Sequence, residues 1–169
     1  SGGMEFGVHP ETAKEVTSAV KAVIRKPLFV KLTPNVTDIV AMAQAVVDGG
    51  ADGLTLINTV KAMRIDLKKR APLLANGTGG LSGPAIFPIA LRMIYDVYKA
   101  VSVPIIGCGG VQNAEDVVEM MMAGASAVQI GAAGLADPDR WNALLTALET
   151  MPDRLGVEKL SEIIGAAHR

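Results

Sequence analysis

The chain has 169 residues and a formal net charge of −1, enough for one domain with a sizeable core and too balanced to favour nucleic acid or an anionic membrane surface. Half of the residues are hydrophobic, only 4% are aromatic and 18 are glycine, the mix of an α/β protein whose Val/Ile/Leu strands are joined by glycine-rich turns. The single cysteine, Cys108, excludes an internal disulfide, and without Cys or His clusters no metal centre is expected. No apolar run approaches the ~20 residues that span a bilayer and no signal-peptide pattern opens the chain, so a cytoplasmic location is predicted. Ser1-Gly2-Gly3 begins abruptly, which predicts a processed end or a missing upstream half.

Gly7 to Lys26 reads as a helix, with Pro10 and Glu11 in its first turn and Ala13, Val16, Ala19, Val20 and Val23 on one face. Pro27 stops it, and Leu28 to Leu32 is a short strand. After the Thr33-Pro34-Asn35 turn, Asp38 or Thr37 caps a helix to about Val47, closed by Gly49-Gly50. Gly53 to Thr59 is a strand ending in polar residues. Lys61 to Leu81 interrupts the rhythm, charged early and glycine-rich late; excursions of this length usually serve as lids or ligand loops. A helix from Pro84 to Val101, a strand from Val103 to Cys108, a helix from Ala114 to Ala123 and a strand from Ala127 to Ile130 follow. Helices at about Asp139–Met151 and Val157–Ala167 finish the chain.

The order is one helix, four βα units and an extra helix, so the strands are expected to be parallel with right-handed crossovers. Four such units are half of a (β/α)8 barrel, and isolated they would leave two apolar edges. The expected fold is therefore α/β: residues 1–169 as the C-terminal half of a TIM barrel, with a compact four-stranded open sheet as the other solution.

In such sheets the functional side chains lie at the C-terminal ends of strands. Ile105 to Val111 is an apolar run entering the Gly109-Gly110 turn, ahead of a helix opened by Asn113. Bare backbone before a helix N-terminus suits a phosphate, and Gly131-Ala132 repeats the pattern one unit later. Lys31 sits inside an apolar run, where a buried ammonium needs a partner. A phosphate or the anionic edge of a reduced flavin would supply one; a structural ion pair, or a lysine snorkelling off the strand end, is the plain alternative. Asn58 offers a donor and an acceptor to the edge of a small heterocycle, or with Thr59 simply closes a turn. Gly77, Gly79, Gly80 and Gly83 permit close approach to a ligand, or only loop freedom. Cys108 reads as a small core residue, the eight methionines as core filler, and His9 and His168 as solvated.

Val30 to Asn35, Ile57-Asn58-Thr59, Met63 to Asp66, Ala75 to Pro84 and Ile105 to Gly110 together resemble dihydroorotate dehydrogenase, most closely the catalytic subunit of its NAD-linked form. The resemblance runs the length of the chain and covers about the C-terminal half of the family's protein. It implies FMN-dependent oxidation of dihydroorotate to orotate in de novo pyrimidine biosynthesis. Electrons would pass to NAD through an iron–sulfur/FAD partner subunit, and a homodimer is implied.

By resemblance, Lys31 would contact the flavin ring, Ile57 and Gly83 would pack on FMN, and Gly109, Gly110, Gly131 and Ala132 would hold its phosphate. Ala132 departs from the threonine common in the family, which removes one hydroxyl contact. Asn58 and Thr59 would bind the pyrimidine. The family's proton-accepting cysteine belongs to an Asn-Cys-Pro-Asn loop expected upstream of Ser1; neither Ser1 nor Cys108 matches it, so no catalytic base is assigned and turnover by the fragment alone is not expected. Two other readings are a non-catalytic flavin- or phosphate-binding half barrel that self-associates, and another FMN barrel such as a dihydropyrimidine dehydrogenase domain.

Overall fold

Four parallel strands, Phe29–Leu32, Gly53–Leu56, Ile105–Cys108 and Ala127–Gln129, lie side by side in that order as the central sheet of the computed structural model, which describes residues 6–168. The Ser1-Gly2-Gly3 turn lies outside the described residues. Numbered in chain order, the four strands are β1, β2, β7 and β8. Register places Lys31 beside Thr55, Thr55 beside Ile106 and Ile106 beside Ala127. Because side chains alternate across a strand, these four share one face, and Ile105 and Gly107 point to the other. That other face is covered by helices.

Helices α2 (Ile39–Asp48), α3 (Phe87–Tyr98) and α4 (Ala114–Ala123) bring Ala43, Val46, Ala90, Ile94, Val97 and Met120 onto Leu54, Leu56 and Ile105, all buried in one apolar cluster. Caps explain where they start. The Asp38 carboxylate accepts from the Ala41 amide at 2.9 Å and the Asn113 side chain from the Asp116 amide at 2.8 Å, satisfying donors that the helix itself leaves free. Helix α3 is entered through a 3₁₀ turn at Pro84–Ile86, and Pro84 in that turn and Pro88 in the first turn of the helix stand where a missing amide costs nothing.

Helix α1 spans Pro10–Val23 and packs on α2. The expected apolar stripe is present, but only Ala13 and Thr17 on this helix are buried; Val16, Val20 and Val23 face outward. The Asp52 carboxylate ties the start of the fold together. It accepts from the Leu28 amide at 2.6 Å and from Lys21, and both contacts hold its carboxyl below the ordinary 3.8, the Lys21 hydrogen bond most strongly. A lowered carboxyl stabilises the fold above the unfolded value and loses that contribution as pH falls through the folded one. The expected result is that acid lowers the wild-type melting temperature more steeply below about pH 4 than that of Asp52→Asn, read by thermal scans across pH.

The 61–81 excursion is a ribbon and not an open loop. Strand β3 (Val60–Ala62) pairs antiparallel with β6 (Gly79–Leu81), and β4 (Ile65–Asp66) with β5 (Ala71–Pro72). Its tip turns where Asp66 accepts from the Lys68 and Lys69 amides and Arg70 adopts a φ of 51°, a local Asx arrangement.

The chain end also differs from expectation. A short helix α5 (Ala132–Ala136) precedes α6 (Arg140–Leu155), and the last expected helix is replaced by 3₁₀ turns at Leu160–Ile163 and Ala166–His168. Gly156 and Gly165 take φ of 67° and 72°, breaking the run on both sides. His168 is not solvated: it stacks on Tyr95 at 3.9 Å between centroids, and its Nε2 lies 2.9 Å from the Ala123 carbonyl.

Candidate functional site

The C-terminal ends of the four sheet strands open into a cleft of about 240 Å³. The loop glycines Gly77, Gly79 and Gly80 do not line it, whereas every residue to which the resemblance gives a site role does, namely Lys31, Ile57, Asn58, Thr59, Gly83, Gly109, Gly110, Gly131 and Ala132. They come from segments up to a hundred residues apart, and the sheet brings them together because parallel strands end side by side.

Each is held by its strand end. The Ile57 amide donates to the Cys108 carbonyl at 2.6 Å and the Asn58 amide to the Leu32 carbonyl at 2.8 Å, so this segment is fastened to both neighbouring strand ends. The Asn58 side-chain oxygen accepts from the Thr59 amide at 2.9 Å. Asn35, in the turn after β1, donates to the Thr59 carbonyl at 3.2 Å and accepts from the Lys61 amide at 2.8 Å. A Cβ at Gly80 would collide with the Thr59 hydroxyl and Cβ, so the ribbon's bare backbone rests directly on Thr59.

The glycine turn after β7 packs as tightly. Gly110 has a φ of 78°, and a Cβ there would lie 2.6 Å from the Phe87 amide nitrogen and 2.8 Å from the Gly83 carbonyl. Gly83 and Gly131 are the reverse case, since a Cβ at either would meet nothing within 4 Å. Both line the cleft, so bare main chain faces it at those two points.

Lys31 is exposed on the sheet face and not buried in the strand. Its ammonium reaches across the end of β2 to the Cys108 sulfur at 3.8 Å. Cys108 itself is half-buried and lines the cleft, because it shares the face of Ile106, two residues earlier, and not that of Ile105. The alternation rule also places Gln129, its register partner, on that face; Gln129 lines the cleft and was open to the same reading of β8. Gln112 completes the turn, its side-chain amide donating to the Gly110 and Val111 carbonyls at 3.3 and 3.0 Å. Glu115 stays outside the cleft, paired with Arg154 at 2.9 Å, which holds its carboxyl below the usual range.

A second cavity of about 560 Å³ shares Lys31, Asn58 and Thr59 with the first and extends over β1 toward Val16 and Thr17 of α1. Among the described residues no group of three or more His, Cys, Asp and Glu side chains is placed to hold a metal, and no helix is long and apolar enough to cross a membrane.

The family model described as dihydroorotate dehydrogenase matches residues 1–151. The catalytic subunit of dihydroorotate dehydrogenase B (NAD(+)) from Halalkalibacterium halodurans is 55% identical over 166 residues, covering 98% of this chain and 54% of that protein. Its counterpart from Anoxybacillus flavithermus is 58% identical over 164 residues, covering 97% of this chain and 53% of that protein. A crystal structure of the Eimeria tenella dihydroorotate dehydrogenase in complex with ferulenol matches in fold, with a TM-score of 0.79 at 24% identity over 95% of this chain and 49% of that one. The chain thus spans about half the length of the curated relatives it matches. Its four parallel βα units are half of the barrel of this TIM-barrel family, and the chain belongs to the dihydroorotate dehydrogenase family.

Proposed function

We propose that this chain is the C-terminal half of an FMN-binding barrel domain that oxidises dihydroorotate to orotate in pyrimidine biosynthesis. The observation that carries the proposal is the single cleft lined both by bare glycine backbone and by the polar trio Lys31, Asn58 and Thr59. The residues fit the cofactor. Gly83 and Gly131 leave space where side chains would project, as close contact with a phosphate or a flat ring requires. Ile57 borders the cleft from the buried core, and Lys31 supplies a cation at the sheet face.

Bound there, the flavin would supply a two-electron acceptor for the hydride leaving the substrate ring. Gly109, Gly110, Gly131 and Ala132 would hold its phosphate through main-chain amides, and Ile57 and Gly83 would pack on it. The Lys31 ammonium would be aimed in advance at the site where negative charge develops. Asn58 and Thr59 would orient the pyrimidine's polar edge; Asn58 keeps its amide nitrogen for that purpose, its oxygen being engaged by the Thr59 amide. The proton lost from the substrate needs a base, which the family resemblance places in a loop outside this sequence. The relatives are named catalytic subunits, which supports a second subunit here, proposed as an iron–sulfur/FAD protein that carries electrons to NAD. A homodimer and a cytoplasmic location complete the proposal.

The product of the complete reading frame, purified without added flavin, is expected to be yellow and to bleach when dihydroorotate is added without oxygen. Absence of flavin overturns the assignment. Bound flavin that dihydropyrimidines bleach and dihydroorotate does not points to another FMN barrel.

A further inference from the structure

Arg140 lies outside the cleft, yet its guanidinium connects the two glycine turns that line it. It is the first residue of α6. Its Nη1 donates to the Gln112 carbonyl at 3.1 Å and to the Gln112 side-chain oxygen at 2.9 Å, and its Nε lies 3.8 Å from the Asp137 carboxylate. Gln112 uses the other end of its amide on the Gly110 and Val111 carbonyls, and its main-chain amide donates to Asp116 at 2.6 Å. On the opposite side, Asp137 closes the five-residue helix α5 that begins directly after Gly131, its amide donating to the Ala133 carbonyl at 3.0 Å. Trp141, next to Arg140, seats that helix: a Cβ at Gly134 would lie 2.5 Å from the indole ring. A continuous path of contacts therefore runs from Gly110 through Gln112, Arg140, Asp137 and α5 to Gly131.

We propose that Arg140 is a positioning residue for the phosphate site, fixing the separation of the Gly109-Gly110 and Gly131-Ala132 turns through Gln112. The proposal rests on the flavin assignment above. A planar guanidinium suits this task, because Nη1 serves both Gln112 oxygens while Nε, fixed in the same plane, faces the Asp137 carboxylate as an ion pair; a lysine carries the same charge on a single nitrogen. Gln112 is half-buried and the Arg140 side chain about two-thirds covered, at 31% exposure, so solvent competes only partly for these bonds. The turn gains rigidity from a residue that never touches the ligand, as outer partners do for bound groups generally.

FMN and riboflavin differ only in the phosphate, so their affinities separate this role from a general loss of structure. Apoprotein from the complete reading frame would be titrated with each, following flavin fluorescence. Arg140→Ala is expected to weaken FMN about tenfold and to leave riboflavin affinity unchanged. Arg140→Lys is expected to behave like Arg140→Ala. Gln112→Ala should cost a similar factor, with the double variant no worse than either single one, because both act through one link. Full FMN affinity in Arg140→Lys would show that charge alone matters, and equal loss of both ligands in Arg140→Ala would show a structural role; either overturns the proposal. A wild-type protein that binds FMN no more tightly than riboflavin would instead overturn the phosphate assignment itself.

Discussion

Replacing Lys31 by alanine is expected to slow flavin reduction by dihydroorotate about 100- to 1000-fold, the usual cost of removing one preorganised electrostatic group. The same change should leave folding and flavin content nearly intact. Lys31 is exposed on the open sheet face, its contact with Cys108 is long at 3.8 Å, and Val30 and Leu32 on either side supply the packing. Stopped-flow reduction of the complete protein, paired with a melting curve, checks both halves of the statement. A drop in melting temperature without a drop in rate would make Lys31 a structural lysine at a strand end.

The second large effect separates two glycines of the same cleft. Gly110→Ala is expected to destabilise the fold by about 2–4 kcal/mol and to abolish flavin retention. The alanine would have to keep a φ of 78° while its methyl pressed on the Phe87 nitrogen and the Gly83 carbonyl, and main chain cannot swing aside as a flexible side chain can. Gly131→Ala is expected to fold normally, because its φ is −112° and nothing lies within 4 Å of the added carbon. Its methyl would occupy the cradle, so FMN affinity should fall while the melting temperature holds. Thermal unfolding and flavin titration of both variants test the contrast; equal stabilities would deny that the turn after β7 is as closely packed as described.

The helical units were legible wherever period, cap and glycine agreed. Asn113 at the start and Gly124 at the end bound α4 as Ala114–Ala123 in both readings, since capping is chemistry within a few residues. The ribbon was not legible. Its strands are two or three residues long, too short for alternation to register, and β3 finds its partner only across the tip hairpin. The stripe of α1 had the right period, but a period says which residues share a face and nothing of what they meet; Val16 and Val20 line or border open space. His168 was misjudged for a related reason, since Tyr95, Tyr98 and Ala123 come to it from far along the chain. At the site, motif residues were legible one by one, while the Lys31–Cys108 approach depends on β1 and β7 flanking β2, which is a property of strand order.

The fastening of Ile57 and Asn58 has a consequence in time. Their amides are donated to the Cys108 and Leu32 carbonyls, so they exchange with water only when the sheet itself opens, at nearly the full free energy of unfolding. The ribbon resting on Thr59 has exposed, two- and three-residue strands and can open by itself at much lower cost. Hydrogen exchange at the Ile57 and Asn58 amides is therefore expected to be much slower than at the amides of the ribbon. Local opening of the ribbon would then leave the strand ends beneath it in register.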